Sequence, residues 1–278
     1  MYEILTREDL APVTKLFEVR APAVAHKAQA GQFVIVRLDE EGERIPLTIA
    51  DYDRDLGTVT LVVQEVGKTT MEMGTMQAGD NLASLTGPLG IPSEIENHGT
   101  VLCVGGGVGI APIYPIARDL KEAGNTVLSV IGARNQDLLF WEDKMRDVSD
   151  ELIVCTDDGS YGRKALVTIP MKELLEAGRP IEHIWAIGPA IMMKFCALTT
   201  QPFGVPTVVS LNSIMVDGTG MCGACRVEVG GQTRFVCVDG PEFDGHQVDW
   251  DQLLARQRIY PEQEKLAVEE WEHERQCG

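Results

Sequence analysis

Three cysteines and one aspartate near the end of the chain have the spacing of an iron–sulfur ligand set. The run reads Asp217-Gly-Thr-Gly-Met-Cys222-Gly-Ala-Cys225 and is followed by Cys237, which gives the pattern D-x4-C-x2-C-x11-C. Four thiolates at the plant-type spacing C-x4-C-x2-C…C hold a [2Fe-2S] cluster. Here an aspartate replaces the first cysteine of that pattern. The spacing therefore predicts a [2Fe-2S] cluster in which one iron has an oxygen ligand.

A structural zinc site is the alternative for the same four residues. Zinc also binds Cys and Asp in a tetrahedral set, but its structural sites usually combine two C-x2-C pairs, or one such pair with two histidines. This loop has a single C-x2-C pair. Its glycines at 218, 220 and 223 let the backbone wrap closely around the sulfur atoms. The spacing favours the cluster and leaves zinc open.

A second candidate site is the glycine run Gly105-Gly-Gly-Val-Gly109-Ile-Ala-Pro112. It follows the apolar run 101–104, which reads as a buried strand, and it opens a helical stretch. A phosphate can approach the backbone there, because the N–H groups and the dipole at a helix N-terminus attract anions. The run is not a strict G-x-G-x-x-G motif, so a tight strand–helix turn without a ligand is the alternative.

Two short motifs in the N-terminal third could contact a flavin nucleotide. Arg44-Ile-Pro-Leu-Thr48 offers an arginine and a hydroxyl to a pyrophosphate and a flavin edge. Gly67-Lys-Thr-Thr70 offers N–H groups, hydroxyls and an ammonium to the same phosphates. Either motif alone is unremarkable, since Arg-x-Pro is more often found in a surface turn. Their combination ahead of a nucleotide sheet and a cysteine loop favours a binding role.

The elements that must position these motifs divide the chain into four parts. Residues 1–97 alternate short β-rich runs with glycine turns, which predicts an all-β barrel. Residues 98–204 alternate strands with helices, which predicts a doubly wound parallel sheet. Residues 205–250 form a compact glycine-rich module, and residues 251–278 a charged, helical tail. The predicted fold class is multi-domain α+β.

Composition excludes several classes of partner. The chain has 278 residues and a net charge of −18, which argues against nucleic acid and anionic lipid. No apolar run reaches the roughly 18 residues of a membrane span, so we expect no membrane insertion. The seven cysteines include four that are scattered singly and form no disulfide framework. We therefore expect a reducing, cytoplasmic setting.

The order of the motifs resembles that of the ferredoxin–NADP reductase superfamily. A barrel with R-x-P-x-T/S comes first, then a nucleotide sheet with G-G-G-x-G-x-A-P and a late G-P-x-x-M, then the cluster module. The chain is similar to the branch that contains the electron-transfer subunit of dihydroorotate dehydrogenase. It is more similar still to the small (alpha) subunits of NADH-dependent ferredoxin:NADP oxidoreductases, also described as sulfide dehydrogenase beta subunits. That group likewise holds its cluster with one Asp and three Cys, and the resemblance covers residues 1–250.

The resemblance implies three sets of site residues. The FAD contacts would be Arg44, Pro46, Leu47, Thr48, Val62, Gln64, Gly67, Thr69 and Thr70. The nicotinamide-nucleotide contacts would be Gly106, Gly107, Gly109, Arg134, Asp157, Asp158, Gly188, Pro189 and Met192. The cluster ligands would be Asp217, Cys222, Cys225 and Cys237. Ile187 departs from the family, many of whose members have a cysteine at this position beside the nicotinamide.

The sequence leaves the choice between NAD(H) and NADP(H) open. No acidic residue ends the second nucleotide strand to bind a ribose 2′-hydroxyl; Arg134 stands there instead. An arginine at this place favours a 2′-phosphate on physical grounds. The resemblance implies the opposite, since the small subunit of this type uses NAD(H). We expect NAD(H), with NADP(H) as the alternative.

The resemblance implies an electron-transfer subunit. It would exchange a hydride between NAD(H) and FAD and relay single electrons through the [2Fe-2S] cluster. Its partner would be a large flavin and [4Fe-4S] subunit, in a heterodimer that bifurcates electrons and reaches ferredoxin through that partner. The first alternative is the electron-transfer subunit of an NAD-dependent dihydroorotate dehydrogenase, against which Asp217 weighs. The second is a non-catalytic adaptor with a zinc-stapled tail and no flavin.

Overall fold

An antiparallel barrel is built by the first third of the chain. Its strands are β1 (Tyr2–Ala11), β2 (Thr14–Arg20), β3 (Phe33–Arg37), β4 (Ile45–Asp53), β5 (Thr58–Gln64), β6 (Asn81–Leu82) and β7 (Ser84–Leu89). The computed structural model describes residues 1–277. Within that part, the strands pair in the order β6-β1-β2-β5-β4-β3-β7. Because β6 and β7 follow each other in the chain and pair with opposite edges, the sheet curls into a nearly closed barrel.

Buried side chains at alternate positions along the strands fill the barrel interior. On β2, Phe17 and Val19 are fully buried while Glu18 between them is only partly buried. Val34 and Val36 of β3 are also fully buried and pack in the same core. Successive side chains of a strand point to opposite faces, so every second residue contributes to this core.

The prediction that residues 1–97 are all β is wrong at two short helices. These are α1 (Pro22–Ala25) and α2 (Lys68–Thr75). Helix α2 follows Gly67, whose N–H donates to the hydroxyl of Thr70 at 3.0 Å, while that hydroxyl donates to the carbonyl of Gly67 at 2.9 Å. A side chain that satisfies free backbone groups at a helix start stabilises the first turn. This local capping explains a helix in a segment otherwise rich in strands.

A second sheet carries the glycine run. Its parallel strands are β8 (Thr100–Gly106), β9 (Thr126–Ala133), β10 (Glu151–Thr156), β11 (Arg163–Lys164), β12 (Ile181–Ile187) and β13 (Thr207–Ser210). The helices between them are α3 (Ile110–Glu122), α4 (Glu142–Asp147), α5 (Thr168–Glu176) and α6 (Ala190–Thr200). The strand order is β11-β10-β9-β8-β12-β13, and α3 packs on one face while α5 and α6 pack on the other. The direction of winding reverses between β8 and β12, where doubly wound sheets bind ligands.

The C-terminal part is joined to this sheet rather than separate from it. It contains β14 (Arg226–Val229), β15 (Gln232–Phe235), α7 (Val236–Asp239) and β16 (Glu242–Asp244). Strands β14 and β15 form a hairpin, and β16 pairs antiparallel with β13 at the edge of the nucleotide sheet. Strand β13 also lies beyond residue 204, where we placed the start of the cluster module. The domain boundaries themselves stay predictions.

Two helices end the described part of the chain, α8 (Trp250–Arg256) and α9 (Pro261–Cys277). Trp250 and Leu253 of α8 are buried in the core that surrounds the C-terminal hairpin. Helix α9 lies on α2 of the barrel half. Residue 278 of the predicted tail lies outside the described residues. Within residues 1–277, no helix is long and apolar enough to cross a membrane.

Candidate functional site

A cleft of about 410 Å³ lies between the barrel and the nucleotide sheet. The predicted site residues that line it are Pro46, Thr48, Gln64, Gly109, Gly188 and Pro189. The first three come from β4 and β5 of the barrel, and the last three from the two loops at the switch point. The structure therefore brings predicted flavin and nicotinamide residues to one cavity, although about 45 to 145 residues of chain separate them.

The two switch-point loops are in close contact, and this contact requires glycine. A Cβ at Gly109 would collide with the carbonyl group of Ile187, and a Cβ at Gly106 would collide with the thioether of Met192. Gly107 has φ +56°, a conformation that side chains disfavour. The backbone is therefore bare where β8 passes into α3. A ligand can approach the N–H groups of this turn without a side chain in the way.

Met192 has a packing role at this turn. Its sulfur and methyl group also lie against Gly188, so that its thioether fills the space between the loops after β8 and β12. A flexible thioether suits an irregular gap of this kind. The structure places Met192 at the site, in contact with two predicted nucleotide residues.

The predicted phosphate-binding residues meet at the start of α2. Thr69 is buried there, and its hydroxyl donates to the carboxylate of Glu43 at 2.5 Å. Glu43 precedes Arg44, which is exposed just before β4. The N-terminus of α2, with Gly67 and Thr70, thus faces the segment that carries the arginine. N–H groups and a hydroxyl at a helix start, with an arginine next to Glu43 in the chain, fit the phosphates of a dinucleotide.

Two predicted flavin residues, Leu47 and Val62, pack into hydrophobic cores. Leu47 of β4 packs against the barrel interior. Val62 of β5 is buried in the cluster that includes α3, on the side of the nucleotide sheet. These two side chains therefore anchor strands β4 and β5 in the cores, and neither residue lines the cleft.

The three charged residues predicted for the nucleotide lie at the ends of β9 and β10. The N–H of Asp157 donates to the carbonyl of Ala133 at 3.1 Å, and the N–H of Asp158 donates to the carbonyl of Arg134 at 3.2 Å. Burial and then the Asp158 carboxylate raise the pKa of Asp157, and Arg134 opposes that shift. The hydroxyl and N–H of Ser160 lower the pKa of Asp158. Arg134 therefore stands beside two carboxyl groups.

Sequence reasoning missed one wall of the cleft. The wall consists of Ser210, Leu211, Asn212, Ser213, Met215 and Pro241, and the cleft is also lined by Phe33 of β3 and by Val108, Pro112 and Ile187 at the switch point. Residues 211–213 follow β13 directly. Residues after a parallel strand are a usable signal of a binding site, but the sequence analysis does not predict that strand. The hydroxyl of Ser213 is buried and has no hydrogen-bond partner among the described residues. A buried polar group without a partner is costly, and a ligand with an acceptor in the cleft would satisfy it. The cleft therefore fits a polar aromatic ring such as a flavin.

The predicted cluster loop brings two of its four ligands together. The sulfur atoms of Cys225 and Cys237 lie 3.2 Å apart, and both side chains are buried. Cys222 is exposed. Asp217 is partly buried, and its carboxylate accepts hydrogen bonds from the N–H of Thr219 at 2.5 Å and of Cys222 at 2.8 Å. These bonds, led by that of the Thr219 N–H, hold the pKa of Asp217 below its ordinary value.

The donor set of this loop fits an iron–sulfur cluster in chemistry, although the side chains do not converge fully. Among the side chains that the structure describes, no three of His, Cys, Asp or Glu meet in the geometry of a metal site. Gly218, Gly220 and Gly223 have φ of +76°, +84° and +67°, so the backbone wraps tightly past the thiols. Burial, and then the Cys225 thiol, raise the pKa of Cys237 to about 12. Binding of iron by these residues must therefore release protons.

Comparison with known proteins identifies the family. Residues 212–249 match the family model described as the iron–sulfur cluster binding domain of dihydroorotate dehydrogenase B. Over 267 residues, the chain is 55% identical to the "Dihydroorotate dehydrogenase B (NAD(+)), electron transfer subunit homolog" of Thermotoga maritima; the match covers 96% of this chain and 94% of the relative. The chain belongs to the family of dihydroorotate dehydrogenase B electron transfer subunits. A member from Desulforamulus reducens is 32% identical over 250 residues, with 87% and 95% of the two chains covered.

Solved structures agree with this family. One structure, of an NADH-dependent reduced ferredoxin-NADP oxidoreductase and reported for flavin-based electron bifurcation, has 53% identity and a TM-score of 0.92, and covers 98% of both chains. Phthalate dioxygenase reductase, at 17% identity and a TM-score of 0.60, covers 82% of this chain and 85% of its own, and shows the fold alone.

These findings confirm the predicted family and fold class. They also confirm that the chain is an oxidoreductase subunit of the electron-transfer type, and membership of the family supports the predicted cofactors FAD, [2Fe-2S] and NAD(P)H. The match of residues 212–249 to an iron–sulfur domain leaves no support for the zinc-stapled adaptor. The individual site residues stay predictions.

Proposed function

We propose that this chain passes electrons between NAD(H) and a partner subunit by way of FAD and a [2Fe-2S] cluster. When bound, the flavin exchanges a hydride with the nicotinamide and single electrons with the cluster. One observation carries the proposal: residues on both sides of the predicted cluster ligands line the cleft. Met215 and Pro241 are cleft residues, and they lie two residues before Asp217 and four residues after Cys237. The flavin cleft and the cluster loop are therefore adjacent parts of one structure.

The chain's own residues would hold and orient the two rings. Thr48 and Gln64 offer polar groups to the flavin edge, and the buried hydroxyl of Ser213 offers a donor from the other wall. The bare turn at Gly107 and Gly109 would receive the nucleotide phosphates at the start of α3. Holding two reacting rings in contact is what the protein contributes to hydride transfer.

The charges at the ends of β9 and β10 support NAD(H) as the nucleotide. Arg134 alone would favour a 2′-phosphate. Asp157 and Asp158 lie beside it, however, and would repel a second phosphate group. A carboxylate at this place is also a suitable acceptor for ribose hydroxyl groups. Substitution of Arg134 by Ala should therefore leave the affinity for NADH nearly unchanged.

The surface around the cluster loop supports a protein partner. Val216, Met221 and Val238 are exposed by 52%, 88% and 42%, and each is the direct neighbour of a predicted ligand. Apolar groups that surround a redox site fit the centre of a protein–protein interface. We assign this surface to a large flavin and [4Fe-4S] subunit in a heterodimer that bifurcates electrons. The 98% coverage by the NADH-dependent reduced ferredoxin-NADP oxidoreductase structure supports that choice.

A second partner is supported by the relatives' names. The family model and the Desulforamulus reducens relative are described as dihydroorotate dehydrogenase B, which would make the partner a dihydroorotate dehydrogenase. The two proposals differ in the large subunit alone. Affinity purification of the tagged chain from its own organism, followed by mass spectrometry, distinguishes them. A partner with [4Fe-4S] cysteine motifs supports the first, and a pyrimidine enzyme supports the second.

The relay itself is tested by separating its two steps. In the anaerobic protein, NADH should bleach the flavin band and produce the electron paramagnetic resonance signal of a reduced [2Fe-2S] cluster. In the Cys225→Ser protein, NADH should still bleach the flavin, but the cluster signal should be absent. Flavin bleaching without any cluster signal in the unmodified protein would contradict the relay.

A further inference from the structure

Helix α6 is apolar on the side that faces water as well as on the side that faces the nucleotide sheet. Its inner side buries Met193 and Cys196 in the core on that face of the sheet. Its outer side carries Ile191, Phe195 and Leu198, which are exposed by 50%, 52% and 49%. A helix that is apolar all round is normally covered on all sides. The sequence of α6 therefore predicts a second packing partner on its outer side.

The three exposed residues form one stripe along the helix. They are spaced i, i+4 and i+7, so they lie on the same side of α6, with Phe195 between the other two. The hydroxyl of Thr199, next to the stripe, donates to the carbonyl of Phe195 at 2.7 Å. This polar group is therefore satisfied within the helix, and it does not need water when the stripe is covered.

Neighbouring residues extend the stripe into a larger apolar face. Leu166 and Ile169 lie at the start of α5, which packs beside α6, and Phe203 lies in the turn after α6; each of them is exposed by 40% or more. Large apolar side chains present on the order of 200 Å² each, so six that are about half exposed leave roughly 600 Å² in water. This is the upper end of what monomers expose. It approaches the roughly 800 Å² that each partner contributes to a specific interface.

The charges around the apolar face favour a second copy of the chain as the partner. The net charge is −18, so two copies repel each other over most of their surfaces. Every charged side chain of α5 and α6 is in an ion pair within the chain, and these pairs are Lys194–Asp251, Lys172–Glu176 and Arg163–Glu173. The pairs carry no net charge. A basic partner would be attracted to other surfaces, whereas a second acidic copy can approach here.

We propose that two copies of this chain associate through α6, with a two-fold axis at Phe195. In a two-fold contact the same surface serves both partners. Two antiparallel α6 helices would place Phe195 against its equivalent and Ile191 against Leu198 of the other copy, because these residues lie four positions before and three positions after the centre. The stripe is therefore complementary to itself. The apolar face shares no residue with the surface around the cluster loop, and the association requires no bound nucleotide.

The mass of the full chain in solution tests this association. Sedimentation velocity of the chain with its cofactors, over a range of concentrations, should give a species of twice 30.4 kDa. Phe195→Glu puts two carboxylates at the centre of the contact and should weaken the association about a hundredfold. Leu56→Glu is the matched control, because Leu56 is an exposed leucine in the turn between β4 and β5 of the barrel. This variant should remain a dimer.

A cross-link tests the position of the two-fold axis. Phe195→Cys should form a disulfide between two copies under mild oxidation, because the axis brings the two substituted positions together. Leu56→Cys contains the same native cysteines and should form no such cross-link. Electrophoresis without reductant separates the linked pair from the single chain.

Three results would overturn the proposal. The first is an unmodified chain that is monomeric at every concentration. The second is a dimer that survives Phe195→Glu and does not cross-link in Phe195→Cys, since another surface would then hold the two copies. The third is a monomeric chain in which α6 becomes protected from hydrogen exchange only in the native complex, since the apolar face would then belong to the large subunit.

Discussion

The sulfur atoms of Cys225 and Cys237 lie 3.2 Å apart, although eleven residues separate them in the chain. The hairpin of β14 and β15 causes this approach, because Arg226 pairs with Phe235 and the chain therefore comes back beside Cys225. Beside this pair, the N–H of Val236 donates to the carbonyl of Cys225 at 3.2 Å and holds the two ends of the hairpin together. Half of the predicted ligand set is therefore positioned by a regular β-hairpin.

Replacement of either paired cysteine should remove the iron. Cys225→Ser or Cys237→Ser leaves three ligands, and we expect far less than the about two irons per chain of a [2Fe-2S] site. Cys196→Ala is the matched control, because Cys196 is an equally buried cysteine outside the loop. The measurement is iron analysis of anaerobically purified protein. Full iron content in both serine variants would show that other residues hold the metal.

Asp217 should set the reduction potential of the cluster. Asp217→Cys would give four sulfur ligands, and we expect a retained cluster with a different potential, since ligand type tunes the potential of such clusters. Electron paramagnetic resonance during a redox titration measures the change. Asp239→Asn is a suitable control, because Asp239 also lies near the loop but is not a predicted ligand. An identical potential in Asp217→Cys and the unmodified protein would refute the tuning role.

Glu242 should make the protein less stable as pH rises. Burial raises the pKa of this carboxyl from its ordinary value of 4.5 to about 7. Between these pH values the folded chain keeps the proton that the unfolded chain has lost, so the free energy of unfolding falls as pH rises. Its carboxylate accepts a hydrogen bond from Ser93 at 2.6 Å, which an amide oxygen can replace. Glu242→Gln should therefore stabilise the protein at pH 8 by about 3 kcal/mol.

Thermal unfolding of the protein with its cofactors, at intervals from pH 5 to pH 8, checks this expectation. The gain in melting temperature of Glu242→Gln should be small at pH 5 and grow toward pH 8. Glu182→Gln is the control, because Glu182 is an exposed glutamate on strand β12 of the same sheet. A gain that is the same at every pH would contradict the assignment to Glu242.

Arg118 should hold the barrel and the nucleotide sheet together. Its guanidinium, on α3, donates to Asp51 of β4 at 2.6 Å and lies 5.2 Å from the ring centre of Tyr52. Both charged groups are largely shielded from water, so we expect Arg118→Ala to lower the free energy of unfolding by about 2 kcal/mol. Urea unfolding measures the loss. Arg163→Ala breaks an exposed ion pair with Glu173 and should cost about 0.5 kcal/mol or less; equal losses in the two variants would contradict this role.

The sequence was most informative where the signal is local. The strand, glycine turn and helix around Gly107 could be predicted, because an apolar run, a glycine cluster and a helical stretch follow each other directly. The ligand pattern from Asp217 to Cys237 was equally visible, since iron sites depend on spacing. Neither signal showed which ligands would meet. The hairpin that joins Cys225 to Cys237 contains only eight strand residues, which are too few for a clear alternation.

Long-range pairings were not predictable in the same way. Strand β16 has three residues, and only its pairing with β13 makes it an edge of the nucleotide sheet. The buried hydroxyl of Ser213 lies at the cleft because β13 ends there, and no local sequence pattern indicates where that strand ends. Helix α9 is charged on most of its surface, so its position against α2 could not be derived from an apolar face. The sequence therefore predicted a charged, helical tail but not its contact with α2.

The most direct test of the account is a cofactor count on the anaerobically purified chain, with absorption spectra before and after NADH. We predict one FAD and about two irons per chain, with loss of absorbance in both the flavin and the cluster bands when NADH is added. That result would establish transfer from the nucleotide through the flavin to the cluster. Zinc in place of iron, with no flavin, would contradict the relay.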